Sequence, residues 1–228
     1  MLVLAAVFLF GIFTPVVSFD LPPEIDLATL SYTQLFLFQA LLLASLATWY
    51  ALGYLGEREA TTPWWVCFGL RWRRVPVELG VGVVAGVGAW LVVLAAALVW
   101  ALVLSWIGGE ELVDSAGETP ELIVYMAGLP VVVRLLISLA AGGIEELFFR
   151  GFLQPRIGIP LTTALFVCGH LGYGQPLMLF GITVLSLLYS ALVKWRGSIW
   201  AAAAAHTLFD AVQLLVVIPA ALELVEGG

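Results

Sequence analysis

Charge is what this chain has least of. Only 11% of its 228 residues are Asp, Glu, Lys or Arg, against roughly 25% in an ordinary soluble domain, which excludes a solvated surface over most of the molecule. Basic residues are the scarcer sign, nine Lys plus Arg against sixteen Asp plus Glu for a net charge of −7. The basic footprint that nucleic acid requires is therefore missing, and no nucleic-acid partner is expected. Two cysteines, Cys67 and Cys168, stand far apart without CxxC spacing, leaving no disulfide framework and no structural zinc motif. There are two histidines, and neither belongs to an HExxH sequence. Strands of alternating polarity, which a membrane barrel would need, are also absent. The N-terminal MLVLAAVFLFGIFTPVVSF lacks a basic n-region and a small-residue cleavage site before Asp20, so it reads as a retained first span rather than a cleaved signal.

What the chain does have is apolar length. Hydrophobic residues make up 62% of it, the mean hydropathy is +1.08, and stretches of about 17 to 25 apolar residues recur, each enough to cross the bilayer as a helix. Spans are expected at about 2–19, 32–55, 78–106, 127–155, 159–173, 177–194 and 198–219, the fifth and sixth short. The expected fold is all-α, a polytopic transmembrane helical bundle of about seven spans. Residues 1–126 supply N-terminal helices and an interfacial loop, and 127–219 the core helices.

The few charges set an orientation. Acidic residues occupy 20–31 (Asp20, Glu24, Asp26), 107–125 (Glu110, Glu111, Asp114, Glu118, Glu121) and the C-terminal tail (Glu223, Glu226), with no Lys or Arg among them. Arg58, Arg71, Arg73, Arg74, Arg156, Lys194 and Arg196 fall in the alternate connections. The positive-inside rule places those connections in the cytoplasm, with the N-terminus inside and the C-terminus outside. The segment PWWVCFGLRWRR, residues 63–74, mixes aromatic and basic residues and reads as an anchor at headgroup level in preference to a substrate-recognition element. Small residues such as Gly80, Gly82, Gly86 and Gly88, and the run Ala201 to Ala205, allow close helix packing in lipid.

Inside the spans the ionisable residues are Arg134, Glu145, Glu146, Arg150, His170, His206 and Asp210, with Glu78 at a span edge. A charge there costs several kcal/mol or more, about 2.5 on the most lenient scale, so function is the default reading. Arg134, near an outer end, can snorkel to water and receives no catalytic part. In AGGIEELFFRGF, Glu146 and Arg150 are one turn apart and can pair, while Glu145 points about 100° away and stays free to act as a general base. In AAHTLFDAV, His206 and Asp210 share a face, so the carboxylate can orient the imidazole or both can approach one ion or substrate. At about 1.5 Å per residue, Glu145, His170 and His206 each lie roughly 15 Å from the cytoplasmic ends of their spans, so the three can converge. A Glu–Arg pair can be purely structural and an intramembrane His can simply bridge helices; the shared depth argues against both readings.

EELFFR at 145–150, FVCGH at 166–170 and HTLFD at 206–210 fit, in order, the motifs EExxxR, FxxxH and HxxxN/D. They resemble the CPBP family of intramembrane proteases, which includes the CAAX prenyl endopeptidases and the bacteriocin-processing or self-immunity (Abi) proteins. The resemblance covers about 127–215; the earlier spans carry no signature. It implies that Glu145 and His170 activate water, that His206 and Asp210 bind or polarise the peptide carbonyl and its oxyanion, and that Glu146 and Arg150 support them. It also leaves two chemistries open: a metal-free glutamate mechanism, or a metalloprotease with Zn2+ on Glu145, His170, His206 and Asp210. The carboxylate at Asp210, where the family has Asn in some members, favours a cation. The expected activity is an intramembrane endopeptidase of the prokaryotic plasma membrane, acting on a membrane-associated peptide, prenylated or a leader, and cleaving toward the cytoplasmic side. A proton- or ion-coupled transporter is the alternative, although no inverted repeat is visible. A non-catalytic immunity or scaffold protein is the third reading.

Overall fold

The structure, a computed structural model, describes residues 30–51, 62–108 and 119–226. The expected first span at 2–19, most of the acidic loop 20–31, Arg58 and the acidic residues at 110–118 lie outside the described residues. Among the described residues every regular element is a helix, as the apolar runs require in a medium that cannot satisfy an open backbone.

The helices are α1 (Tyr32–Leu35), α2 (Leu37–Ala51), α3 (Trp64–Cys67), α4 (Val75–Gly108), α5 (Glu121–Gly128), α6 (Val131–Ala140), α7 (Gln154–Cys168), α8 (Pro176–Arg196), α9 (Trp200–Val212) and α10 (Ile218–Glu226). A π-helix, Ala141–Leu153, joins α6 to α7, and a second, Gln213–Val217, joins α9 to α10. Among the described residues three stretches are long and apolar enough to cross a membrane: Val75–Gly108, Pro176–Arg196 and Trp200–Leu224. α2 is a shorter apolar helix.

Where helices stop, proline and glycine give the reason. The span expected at 127–155 does not begin at 127: Leu129 is extended (φ −70°, ψ 161°) and Pro130 opens α6, because a residue before proline is driven out of the helical region. The next expected span, 159–173, starts at a kink where Gly158 takes φ 81° ahead of Pro160, and its α-helix stops at Cys168, leaving a single 3₁₀ turn at Leu171–Tyr173. The ten residues from 159 to 168 rise about 15 Å, half a hydrocarbon thickness, so His170 is held in a turn inside the bundle. α8 ends at Gly197, whose left-handed φ of 63° lets its N–H reach Val193 O at 2.7 Å.

α4 packs along α9 as the most extensive helix pair of the bundle. Gly82 and Gly86 make this possible, each abutting the Ala201–Ala205 backbone so that a Cβ would collide, whereas Gly80 and Gly88 face open space. The other face of α4 is apolar and exposed, with Val84, Leu91, Leu94 and Leu98 all more than 60% accessible, as a lipid-facing surface is. A second cluster joins Leu42 and Leu46 of α2 to Phe148, Phe149 and Phe152 of the first π-helix and Phe166 of α7.

One end of the bundle gathers the basic residues. Arg196, at the end of α8, donates through Nε and Nη2 to both oxygens of Glu78, which is fully buried near the start of α4, at 3.0 and 2.8 Å. The guanidinium of Arg71 lies against Gly197 beside them. The segment 63–74 closes this end: Trp64, Trp65 and Trp72 are exposed, while Phe68 and Leu70 are buried and Gly69 O accepts from Ile199 N at 3.2 Å. Arg134 does not simply snorkel: its Nη1 donates to Leu214 O at 2.9 Å, tying α6 to the second π-helix.

Candidate active site

The motif residues sit on three elements. Glu145, Glu146 and Arg150 belong to the first π-helix, His170 follows the end of α7, and His206 and Asp210 lie on α9. In a π-helix each N–H reaches five residues back, as Gln154 N does to Phe149 O, a rare geometry often found at functional sites. Gly142 in this helix lets α9 approach, since a Cβ there would run into Thr207 and the Ala203 carbonyl.

Glu146 and Arg150 form the expected ion pair, Nη1 to Oε1 at 2.9 Å with both side chains fully buried. Arg150 is held further by Ser186 of α8, Nη2 donating to the hydroxyl at 3.0 Å and the carbonyl at 3.3 Å, and its guanidinium lies 4.3 Å from the Phe166 ring centroid. The same Glu146 oxygen takes a second partner, His206 Nδ1 at 3.0 Å. A carboxylate already paired with arginine can only accept, so Nδ1 carries a proton. Asp210 does not hold that nitrogen; its Oδ2 stands 3.5 Å from His206 Nε2. The imidazole therefore lies between two carboxylates and stacks on Tyr189, with ring centroids 5.2 Å apart at 25°.

His170 is fixed differently. Its Nδ1 is 2.7 Å from Phe166 O; because a carbonyl only accepts, Nδ1 is the donor and Nε2 of the neutral ring keeps its lone pair. Phe166 lies between the two histidines, its ring 4.6 Å from His170 and 6.1 Å from His206.

Glu145, His170, His206 and Asp210 line one cavity of about 640 Å³, whereas Glu146 and Arg150 stand behind its wall. The matched depths thus correspond to a common space. Two further side chains belong to it that the sequence reading passed over. Gln39 of α2 donates through Nε2 to Glu145 Oε1 at 3.1 Å, leaving Glu145 Oε2 without a partner among the described residues. A lone amide inside LFLFQALLL is the signal that could have found it. Tyr173, in the 3₁₀ turn, also faces the cavity, with its ring 5.7 Å from His170.

The cavity has a direction. On α9 and beyond, its lining begins at His206 and continues to Ile218; on α6 and its π-helix it runs from Glu145 back to Ile137; on α8 it runs from Tyr189 back to Leu177; and from Gln39 of α2 it runs back through α1 to Leu30. Each of these progressions leads away from the end that holds Arg71, Arg196 and Glu78. The basic end itself is sealed by Phe148, Phe149, Phe152 and Phe68.

Glu145, His170, His206 and Asp210, the ligand set expected for zinc, line the cavity without closing into a ligand group. Among the described residues no three His, Cys, Asp or Glu side chains come together as a metal-holding group. Nδ1 of each histidine is engaged, one by a carboxylate and the other by a carbonyl, which leaves Nε2 as the nitrogen that can meet a water, a substrate or an ion.

Comparison with known proteins agrees with the three motifs. Residues 127–212 match the family model described as Type II CAAX prenyl endopeptidase Rce1-like, a segment that holds all six motif residues. A stretch of 111 residues is 30% identical to the uncharacterized protein YpbD of Bacillus subtilis (strain 168), covering 48% of this chain and 57% of that protein. The chain thus spans little more than half the length of that curated relative. No solved structure matches it. The family match falls on the segment that carries EExxxR, FxxxH and HxxxD and agrees with the resemblance read from them, and with its three long apolar helices the chain is an integral membrane protein.

Proposed function

We propose that this chain is an intramembrane endopeptidase that hydrolyses a peptide bond of a membrane-associated peptide by a glutamate-activated water. The observation that carries the reading is the convergence of Glu145, His170, His206 and Asp210 on one cavity inside an apolar bundle, with Glu146 and Arg150 buried behind them.

In this reading Glu145 takes a proton from the attacking water as that oxygen bonds to the peptide carbonyl carbon, and later gives the proton to the leaving nitrogen as the C–N bond breaks. His170, its Nδ1 committed to Phe166 O, offers Nε2 to hold the same water. His206, fixed at Nδ1 by Glu146 and flanked at Nε2 by Asp210, acts as the imidazolium between two carboxylates, its Nε2–H donating to the carbonyl oxygen and so polarising it. Arg150 balances Glu146, so His206 is oriented by a carboxylate that is itself held still. Every step uses the chain's own residues.

The apolar walls, including Val93, Phe180 and Leu185, suit a peptide that carries a lipid or an apolar segment; prenylated peptides and leader peptides are the two classes we put forward. Purified protein in lipid is offered internally quenched prenylated and leader peptides. Glu145→Ala and His170→Ala are expected to abolish cleavage while leaving expression and melting temperature in place; full activity in either variant sinks the reading.

A further inference from the structure

The direction of the cavity, set against the placement of the basic residues, bears on where the substrate comes from. We infer that the site is entered from the non-cytoplasmic face of the membrane, so that its substrates are peptide segments presented at that leaflet. The inference rests on the protease reading for the word substrate, and on geometry for the side.

The geometry is consistent across independent elements. From Glu145 the lining recedes toward Ile137, from His206 toward Ile218, and in both cases away from Arg196 and Glu78. Thr119 and Gln34, which line the far part of the cavity, are exposed. Toward the opposite end the path is filled by the phenylalanine cluster around Phe148 and Phe152, both essentially inaccessible. Lys194, Arg71 and Arg74 are exposed at that sealed end, and juxtamembrane Lys and Arg mark the cytoplasmic side of a membrane protein. Thr119 and Leu30 adjoin the two loops in which the sequence carries acidic residues and no basic ones. A site about 15 Å deep by residue count is therefore reached from the side opposite its basic connections. The expectation of cleavage toward the cytoplasm took depth from the basic ends as access from them, and the packed aromatic layer separates the two.

The test uses the full chain with Cys67 and Cys168 replaced by alanine, expressed in cells as Thr119→Cys or Lys194→Cys and treated with a membrane-impermeant maleimide. Thr119→Cys is expected to label in intact cells and, once labelled, to lose cleavage of a quenched lipidated peptide; Lys194→Cys is expected to label only after permeabilisation. Labelling of Thr119→Cys only after permeabilisation overturns the inference, as does labelling in intact cells that leaves cleavage unchanged. A Glu145→Gln control separates the two layers. Cleavage surviving in that variant defeats the protease reading whatever the labelling pattern, whereas wrong-sided labelling defeats the inference even when Glu145→Gln is inactive.

Discussion

His206 Nδ1 and Glu146 Oε1 lie 3.0 Å apart across a gap of sixty residues in the chain, and the carboxylate they share with Arg150 is fully buried. This contact joins two sequence motifs into one unit: the ion pair within EExxxR is also the clamp on the histidine of HxxxD. Removing Glu146 alone should leave the Arg150 guanidinium buried without its counter-charge, at a cost of about 3–5 kcal/mol. Glu146→Ala is thus expected to lower the unfolding free energy in detergent by that order. Glu146→Leu combined with Arg150→Met should recover most of the stability and none of the cleavage. Activity in the double variant would mean that the clamp on His206 is dispensable.

Gln39 offers a sharper test of positioning. Gln39→Met keeps the length of the side chain and removes the donor to Glu145 Oε1. It is expected to lower kcat between about tenfold and a hundredfold through misorientation of the base, with KM and melting temperature little changed. A rise in KM with kcat intact would make Gln39 a substrate contact instead.

Chelation distinguishes the two chemistries that the motifs allow. With no three ligands gathered among the described residues, the glutamate mechanism predicts that cleavage survives prolonged dialysis against a chelator with a change below about twofold. Loss of activity that stoichiometric zinc restores would place the metal back on Glu145, His170, His206 and Asp210.

The α4–α9 seam can be probed with neighbouring glycines. A Cβ at Gly82 would sit 2.5 Å from both the Ala201 carbonyl oxygen and the Ala204 Cβ, whereas one at Gly80 meets nothing within 4 Å. Gly82→Val should cost about 1–3 kcal/mol through overpacking, and Gly80→Ala no more than about 0.5 kcal/mol, compared by thermal unfolding in the same detergent. Equal effects would show that the seam is loose.

The six motif residues were legible in the sequence because a charge inside an apolar run is expensive enough to be conspicuous, and the convergence of Glu145, His170 and His206 followed from depth counted along each span. What was hidden was of another kind. No residue pattern announces a π-helix, so the pairing of Glu146 with His206, which adds to that of Asp210 on the other ring nitrogen, could not be read from α-helical spacing. Pro130 and Gly158 did carry local signals, and both interrupt stretches whose hydropathy alone ran on. Gln39 was overlooked because a neutral amide barely disturbs a hydropathy profile, and the carboxylate it contacts is 106 residues away. Arg134 was read by position, while its partner is a backbone carbonyl, which every residue possesses.

α4 runs for 34 residues, about 51 Å at helical rise, against a hydrocarbon core of roughly 30 Å. A helix so long must lean or project from the bilayer. Val93 and Ala97 of α4 form part of the cavity wall, while Glu78 near its first turn is bolted to Arg196. With one end fixed, a change in lipid thickness swings the other, and the width of the catalytic cleft becomes a property that the surrounding membrane shares in setting.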